Sequence, residues 1–258
     1  MRNATRTLPP VERFIDALLE RDGAGGSWLA RLLRAAPRGR ARFGELADAP
    51  GWLQAPVAVR TETGRRGAFE YPAVPSRELL GWFIDHPERL NRVEDADASA
   101  ETLRLRSALL DDDPPGARAR AQDRAHDLLR ERTPFGDAWW RFEPPRVADC
   151  LLMTDRLVLL VSDGASALAP ATPWFPPRTG LARDLEAARR FAEGHKAWGV
   201  LVLGLEDDAA DADAILRRIG EGAPHLDADA HHELAAGYLG GLGWPHAAAA
   251  TGLDPTAF

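Results

Sequence analysis

Two carboxylates, Asp149 and Asp163, sit beside neighbouring apolar runs, CLLM at 150–153 and LVLLV at 157–161. If those runs pair as strands, side chains alternate between the faces, so Ser162 and Gly164 share one face and Asp163 points to the other. Other residues invite chemistry with less support. His225, His231 and His232 with Glu233 raise a metal reading. However, adjacent histidines leave a helix in different directions, and surface histidines are the expectation. Cys150 falls within an apolar strand, where a thiol packs as a small hydrophobe. SDGAS at 162–166 has Ser and Gly without the spacing of a nucleophile elbow or a phosphate loop. Trp139, Trp140 and Trp174 could stack bases in a groove, but packing in a core or under a lid is the favoured reading.

The elements that must position these residues are readable from period and punctuation. Pro9-Pro10 precede VERFIDALLER, whose apolar residues recur at helical spacing, and SWLARLLRAA resumes the period with Ser27 as the expected N-cap. A hairpin is expected around Gly64 to Gly67. Helices are expected at 76–86, stopped by Pro87, then at 99–110 and 115–132. AWWRFE, RVADCLLM and RLVLLVS read as three strands between 138 and 162, the last two joined by a tight turn at Thr154-Asp155. A helix over 178–193 and a buried parallel strand, AWGVLVLGL at 197–205, follow. A crossover should join the third and fourth strands. Residues 209–258 are expected to return to helix, ending in two short helices around glycines that faintly resemble a helix-turn-helix without a basic second helix.

The resulting αβββαβ order over 115–205 resembles the PD-(D/E)XK nuclease superfamily. The expected fold class is α/β, a restriction-endonuclease-like core. Residues 1–114 then form a mainly helical region with the hairpin, and 206–258 a helical extension. In finer detail, WWRFEPPRVADCLLMTDRLVLLVSDG, Trp174-Phe175-Pro176 and Arg183-Asp184-Leu185-Glu186-Ala187 are similar to a group of uncharacterised bacterial proteins in that superfamily, over residues 75–205. The resemblance implies an Asp on the second strand, here Asp149, and an acid-x-Lys triplet at the end of the third, where Ser162, Asp163 and Gly164 stand. It implies Mg²⁺ or Mn²⁺ on oxygen ligands if the protein is active, with Asp149 and Asp163 as metal candidates. Asp149, Asp163, Ser162 and Arg183 are the catalytic candidates. The departures are Ser162 for the acid and Gly164 for the lysine. Loss of one such electrostatic group costs about 10²–10³ in rate, so a degenerate site is expected. A rearranged site could draw a cation from Arg178 or Arg183, a carboxylate from Asp184 or Glu186, and a further acid from Asp127, Glu131 or Glu143.

Composition bounds the partners. Of 258 residues, 45% are apolar, enough for a packed core. No apolar run reaches the roughly 18 residues that span a bilayer, and the N-terminal stretch lacks an apolar leader core. One cysteine suits a reducing compartment, so a cytoplasmic protein with no membrane partner is expected. Lys196 is the sole lysine among 32 basic residues, as in GC-rich bacterial genomes. The net charge of −7 opposes generalised phosphate attraction. Local basic faces remain, at Arg31, Arg34, Arg38, Arg40 and Arg42, and at Arg60, Arg65 and Arg66. The expected function is therefore binding of nucleic acid or of a protein partner, in bacterial DNA processing or defence. An active metal-dependent nuclease and a structural or assembly protein are the alternatives.

Overall fold

LVLLV is apolar at every position because both faces of its strand are covered, and Leu157 to Ser162 are all buried. This strand, β3 (Leu157–Asp163), is the centre of a five-stranded sheet in the computed structural model. The structure describes residues 10–24, 26–44, 58–61, 73–131, 139–192, 194, 196–205 and 212–254, with the side chains of 58–61 and 212 left aside. The other strands are β1 (Ala58–Thr61), β2 (Cys150–Met153), β4 (Ala197–Leu203) and β5 (Tyr238–Leu242), and the spatial order is β1-β2-β3-β4-β5. β1, β2 and β3 are antiparallel, whereas β3, β4 and β5 run parallel. The protein is thus a mixed α/β structure whose sheet draws strands from all three stretches distinguished in the sequence.

Alternation along β2 and β3 divides the core into two layers. Cys150, Leu152, Leu157, Leu159 and Val161 pack against α1 (Pro10–Asp22), α2 (Ser27–Ala35) and α11 (Trp244–Thr251). Leu151, Val158 and Leu160 meet α8 (Gly180–Phe191), α9 (Ala212–Gly222) and α10 (Ala228–Gly237). A third apolar cluster joins α4 (Arg77–Asp85), α5 (Ala100–Asp111) and α6 (Ala117–Glu131) to Trp139, Trp140, Phe142, Trp174 and Phe175. Ser76 and Ser99 cap α4 and α5 by accepting from the amides of Leu79 and Thr102. The short helices α3 (Gly39–Phe43) and α7 (Gly164–Leu168) complete the set.

Four expectations need correction or qualification. Residues 139–143 of AWWRFE form no strand. Their aromatic rings are buried among helices, and burial rather than pairing accounts for the apolar run. Only two strands therefore lie between α6 and α8, and β2's other neighbour, β1, comes from residues 58–61. YLGGL, expected within the C-terminal helices, is strand β5, with Gly240 at a positive φ of 104°. Glycines there report a buried, irregular strand instead of a turn. Ser27 lies inside α2, whose N-cap is Gly26. The hairpin around Gly64 to Gly67 lies outside the described residues.

One buried ionic cluster ties the layers together. Arg178, in the loop before α8, is 0% exposed. Its Nε donates to Glu143 at 2.8 Å, and its two terminal nitrogens donate to both oxygens of Glu186 at 2.7 and 3.0 Å. It also donates to the carbonyl of Gly222 at the end of α9. Burial alone would lower the Arg178 pKa, but the adjacent Glu143 and Glu186 outweigh it and hold the guanidinium charge. Breaking one side of a buried pair leaves a desolvated charge, which costs about 3–5 kcal/mol. Arg178→Met is expected to lower urea-unfolding stability by about that amount, whereas Arg104→Ala, which removes the exposed pair with Glu101, should leave it nearly unchanged.

Candidate functional site

The parallel strands end beside α7 and the start of α8, and there the residues singled out at 149–164 converge. Asp149 immediately precedes β2 and is 9% exposed. Pairing of Cys150 with Val161 sets it opposite the end of β3. One of its oxygens, Oδ2, accepts from the amide of Asp163 at 2.8 Å and from Ser166 Oγ at 2.6 Å. The other is 3.4 Å from a terminal nitrogen of Arg146. Ser162 is fully buried and points toward the α8 layer, as alternation required, where its hydroxyl donates to Asp184 Oδ2 at 2.7 Å. Asp184 Oδ1 accepts from Arg183 Nε and Nη2, both at 3.2 Å. The helix after the strand thus supplies the second carboxylate of the site, and it does so beside Ser162.

Asp163 is turned away from this pair. Its carboxylate caps α7 by accepting from the amide of Ala165 at 3.0 Å. Of the candidates, Asp149, Ser162 and Arg183 therefore gather with Asp184, while Asp163 contributes its main-chain amide and a cap. Gly164 begins α7 beneath the end of β4. A Cβ built there would lie 3.2 Å from the Gly204 carbonyl oxygen and 3.2 Å from Leu205 Cβ. Close chain packing there leaves a longer side chain little room. Gly180, first residue of α8, allows a second close approach: a Cβ would fall 2.2 Å from the Ser166 carbonyl oxygen. That contact sets α7 against α8 and so holds Ser166 and Asp184 in the same corner.

The donor set does not fit a resident divalent ion well. Asp149 and Asp184 already accept protein hydrogen bonds, two of them from the main chain and a buried hydroxyl. No group of three or more His, Cys, Asp or Glu able to hold a metal occurs among the described residues. Burial raises the Asp184 pKa above the ordinary carboxylate range, opposed by Arg183 and Ser162 and reinforced by the nearby Asp149.

The remaining candidates fall elsewhere. Arg178, Glu143 and Glu186 are bound to one another in the buried cluster. Asp127 pairs with Arg130 on the surface of α6, and Glu131 is exposed at its end. Cys150 is buried, and that burial raises its thiol pKa. Trp139, Trp140 and Trp174 lie in the third cluster, and Arg106 covers the ring of Trp174 at 4.9 Å. His231 and His232 bond to the carbonyls of Ala223 and Ala228. In the first basic cluster, Arg31 pairs with Asp22, Arg38 lies over Tyr238 and Arg42 over Trp198. Arg65 and Arg66, and the side chain of Arg60, lie outside the described residues. No helix among the described residues is long and apolar enough to cross a membrane.

Sequence reasoning did not single out a second cleft, of about 570 Å³, between the start of α4, the end of α8 and the α9–α10 loop. Ser76, His225 and Glu186 meet in it and superficially offer a hydrolytic triad. Ser76 Oγ is 3.4 Å and Glu186 Oε1 3.6 Å from the same nitrogen, His225 Nε2, while Nδ1 has no partner. A triad needs its serine and its acid on opposite ring nitrogens, so this arrangement cannot relay a proton from serine to acid. Burial, and then the Arg178 charge, lower the His225 pKa to about 4.

No family model, curated protein or solved structure matches the chain.

Two pH effects follow from these shifts. Folding favours the protonated form of Asp184, so between the ordinary Asp pKa near 3.9 and its raised folded value stability should fall as pH rises. Asp184→Asn should remove that slope in urea-unfolding curves taken at successive pH values. His225 has the opposite sign. Its neutral form stabilises the fold fully above about pH 6.5, and that contribution is lost as pH falls toward 4. At the upper limit this is about 3 kcal/mol, and His225→Gln should flatten stability across that window.

Proposed function

We propose that this chain is a nuclease-like α/β protein of the PD-(D/E)XK type that has exchanged phosphodiester cleavage for binding. The carrying observation is the placing of Asp149 beside a strand end whose side chains facing it, at Ser162 and Gly164, include neither acid nor ammonium, the Asp163 carboxylate being turned away. Ser162 occupies the acid's place and donates to Asp184, and tight packing around Gly164 fills the place of the lysine. Metal-assisted hydrolysis needs carboxylates whose oxygens face a cation, together with charge to stabilise attacking and leaving oxygens. Here the carboxylates are engaged by the amide of Asp163, by Ser166, by Ser162 and by Arg183. The corner retains polarity and shape, which suffice for recognition. Nucleic acid is the target to test first and a protein partner second, in bacterial DNA processing or defence. The role would be cytoplasmic and need no cofactor.

A specific observation favours one rival. Asp184 stands beside Ser162 and acts electrostatically on the same corner as Asp149, the placement that a Mg²⁺- or Mn²⁺-dependent nuclease with a helix-borne second acid would require.

The full chain should leave labelled single- and double-stranded DNA intact across a Mg²⁺ and Mn²⁺ titration. It should bind at least one of the two at low salt, with affinity falling as salt rises. Metal-dependent cleavage abolished by both Asp149→Ala and Asp184→Asn would establish the rival. Absence of both cleavage and binding at low salt would direct the search to a protein partner.

A further inference from the structure

The cleft beside His225 is independent of the Asp149 corner, and its charges are unusually sorted. Of its carboxylates, Glu186 is held at both oxygens by Arg178, and Glu233 pairs with Arg189 at 2.7 Å. Two opposite charges remain at the mouth. Glu78, exposed in the first turn of α4, has no hydrogen-bond or ion-pair partner among the described residues. Arg190, in the last turn of α8, donates to the Val74 carbonyl and meets no carboxylate at ion-pair distance among the described residues. The two lie within electrostatic reach of each other. The same cleft is also lined by the apolar side chains of Trp198 and Leu226. His225 adds a second pointer: its side chain is 3% exposed, and its Nδ1 is buried without a partner.

An acid and a guanidinium without ion-pair partners, lining one cleft together with apolar side chains, define a ligand by exclusion. A simple anion would meet the carboxylate of Glu78, and a simple cation would meet the guanidinium of Arg190. A molecule carrying both charges complements both groups at once. The cleft volume falls in the range of small-ligand sites. We propose that this cleft binds a small zwitterion of amino-acid or dipeptide size, with its ammonium at Glu78, its carboxylate at Arg190 and an apolar side chain against Trp198 and Leu226. The misplaced serine and acid around His225 make this a binding site and not a hydrolytic one.

Isothermal titration calorimetry of the full chain tests this with leucine, leucyl-leucine, and two single-charge analogues of leucine, isoamylamine and 4-methylpentanoate. At least one of the two zwitterions should bind, and each analogue should bind at least about ten-fold more weakly, the loss expected for one charged hydrogen bond. Glu78→Gln should weaken the zwitterion by a similar factor while leaving 4-methylpentanoate unchanged, and Arg190→Gln should weaken the zwitterion while leaving isoamylamine unchanged. Glu78 is exposed, so its variant stays decisive even if Arg190→Gln unfolds. The proposal is overturned if neither zwitterion gives heat at about 10 mM, if an analogue matches the zwitterion, or if Glu78→Gln binds as the parent does. None of these outcomes bears on cleavage or binding of DNA.

Discussion

A guanidinium with no access to water must be neutralised where it stands, and this protein organises its middle around that requirement. Arg178 gathers Glu143 from the approach to β2, Glu186 from α8 and a carbonyl from the end of α9. These groups come from segments far apart in the chain, and the charge balance fails if one of them moves. The cluster fixes where α8 starts, and α8 in turn carries Asp184 to Ser162 on one side and Glu186 and Arg190 to the cleft on the other. Both candidate sites inherit their geometry from a single buried cation. Such clusters contribute little net stability compared with apolar packing but penalise alternative arrangements strongly.

The corner at Asp149 shows carboxylates satisfied from within the protein. A carboxylate that accepts from a strand amide and a helix hydroxyl is oriented by the fold. The packing of α7 against the end of β4 leaves little space at position 164, and the Ser162 hydroxyl bonds to Asp184 on α8. Together these contacts make both carboxylates part of the core's polar wiring.

Much of the architecture was legible because burial leaves periodic marks. β3 and β4 were readable as continuous apolar runs, the β2–β3 hairpin from the turn at Thr154-Asp155, and α4 and α5 from the stop at Pro87 and the polar break at DDDPP. Alternation along β3 correctly turned Ser162 inward and Asp163 away. The failures have equally physical causes. The aromatic run at 139–143 is buried between helices, and burial without pairing looks the same as a strand at that length. β5 was hidden by its glycines, Gly240 and Gly241, which weaken a strand pattern in sequence although the segment is buried. Asp184 was visible only as one of two acids on a helix, and its choice over Glu186 depended on the Arg178 cluster, a long-range contact with no local signature. The His225 cleft escaped notice because Glu78, Arg190 and Trp198 are scattered along the chain.

The central claim is that the Asp149–Asp184 corner is satisfied by the protein and does not hold a divalent ion. Electron paramagnetic resonance of Mn²⁺ titrated into the full chain at neutral pH measures this directly, since bound ion loses the free-ion signal. The expected result is a signal that rises with total Mn²⁺ as in buffer, unchanged in Asp149→Ala. Stoichiometric loss of the free signal, restored by Asp149→Ala, would contradict it.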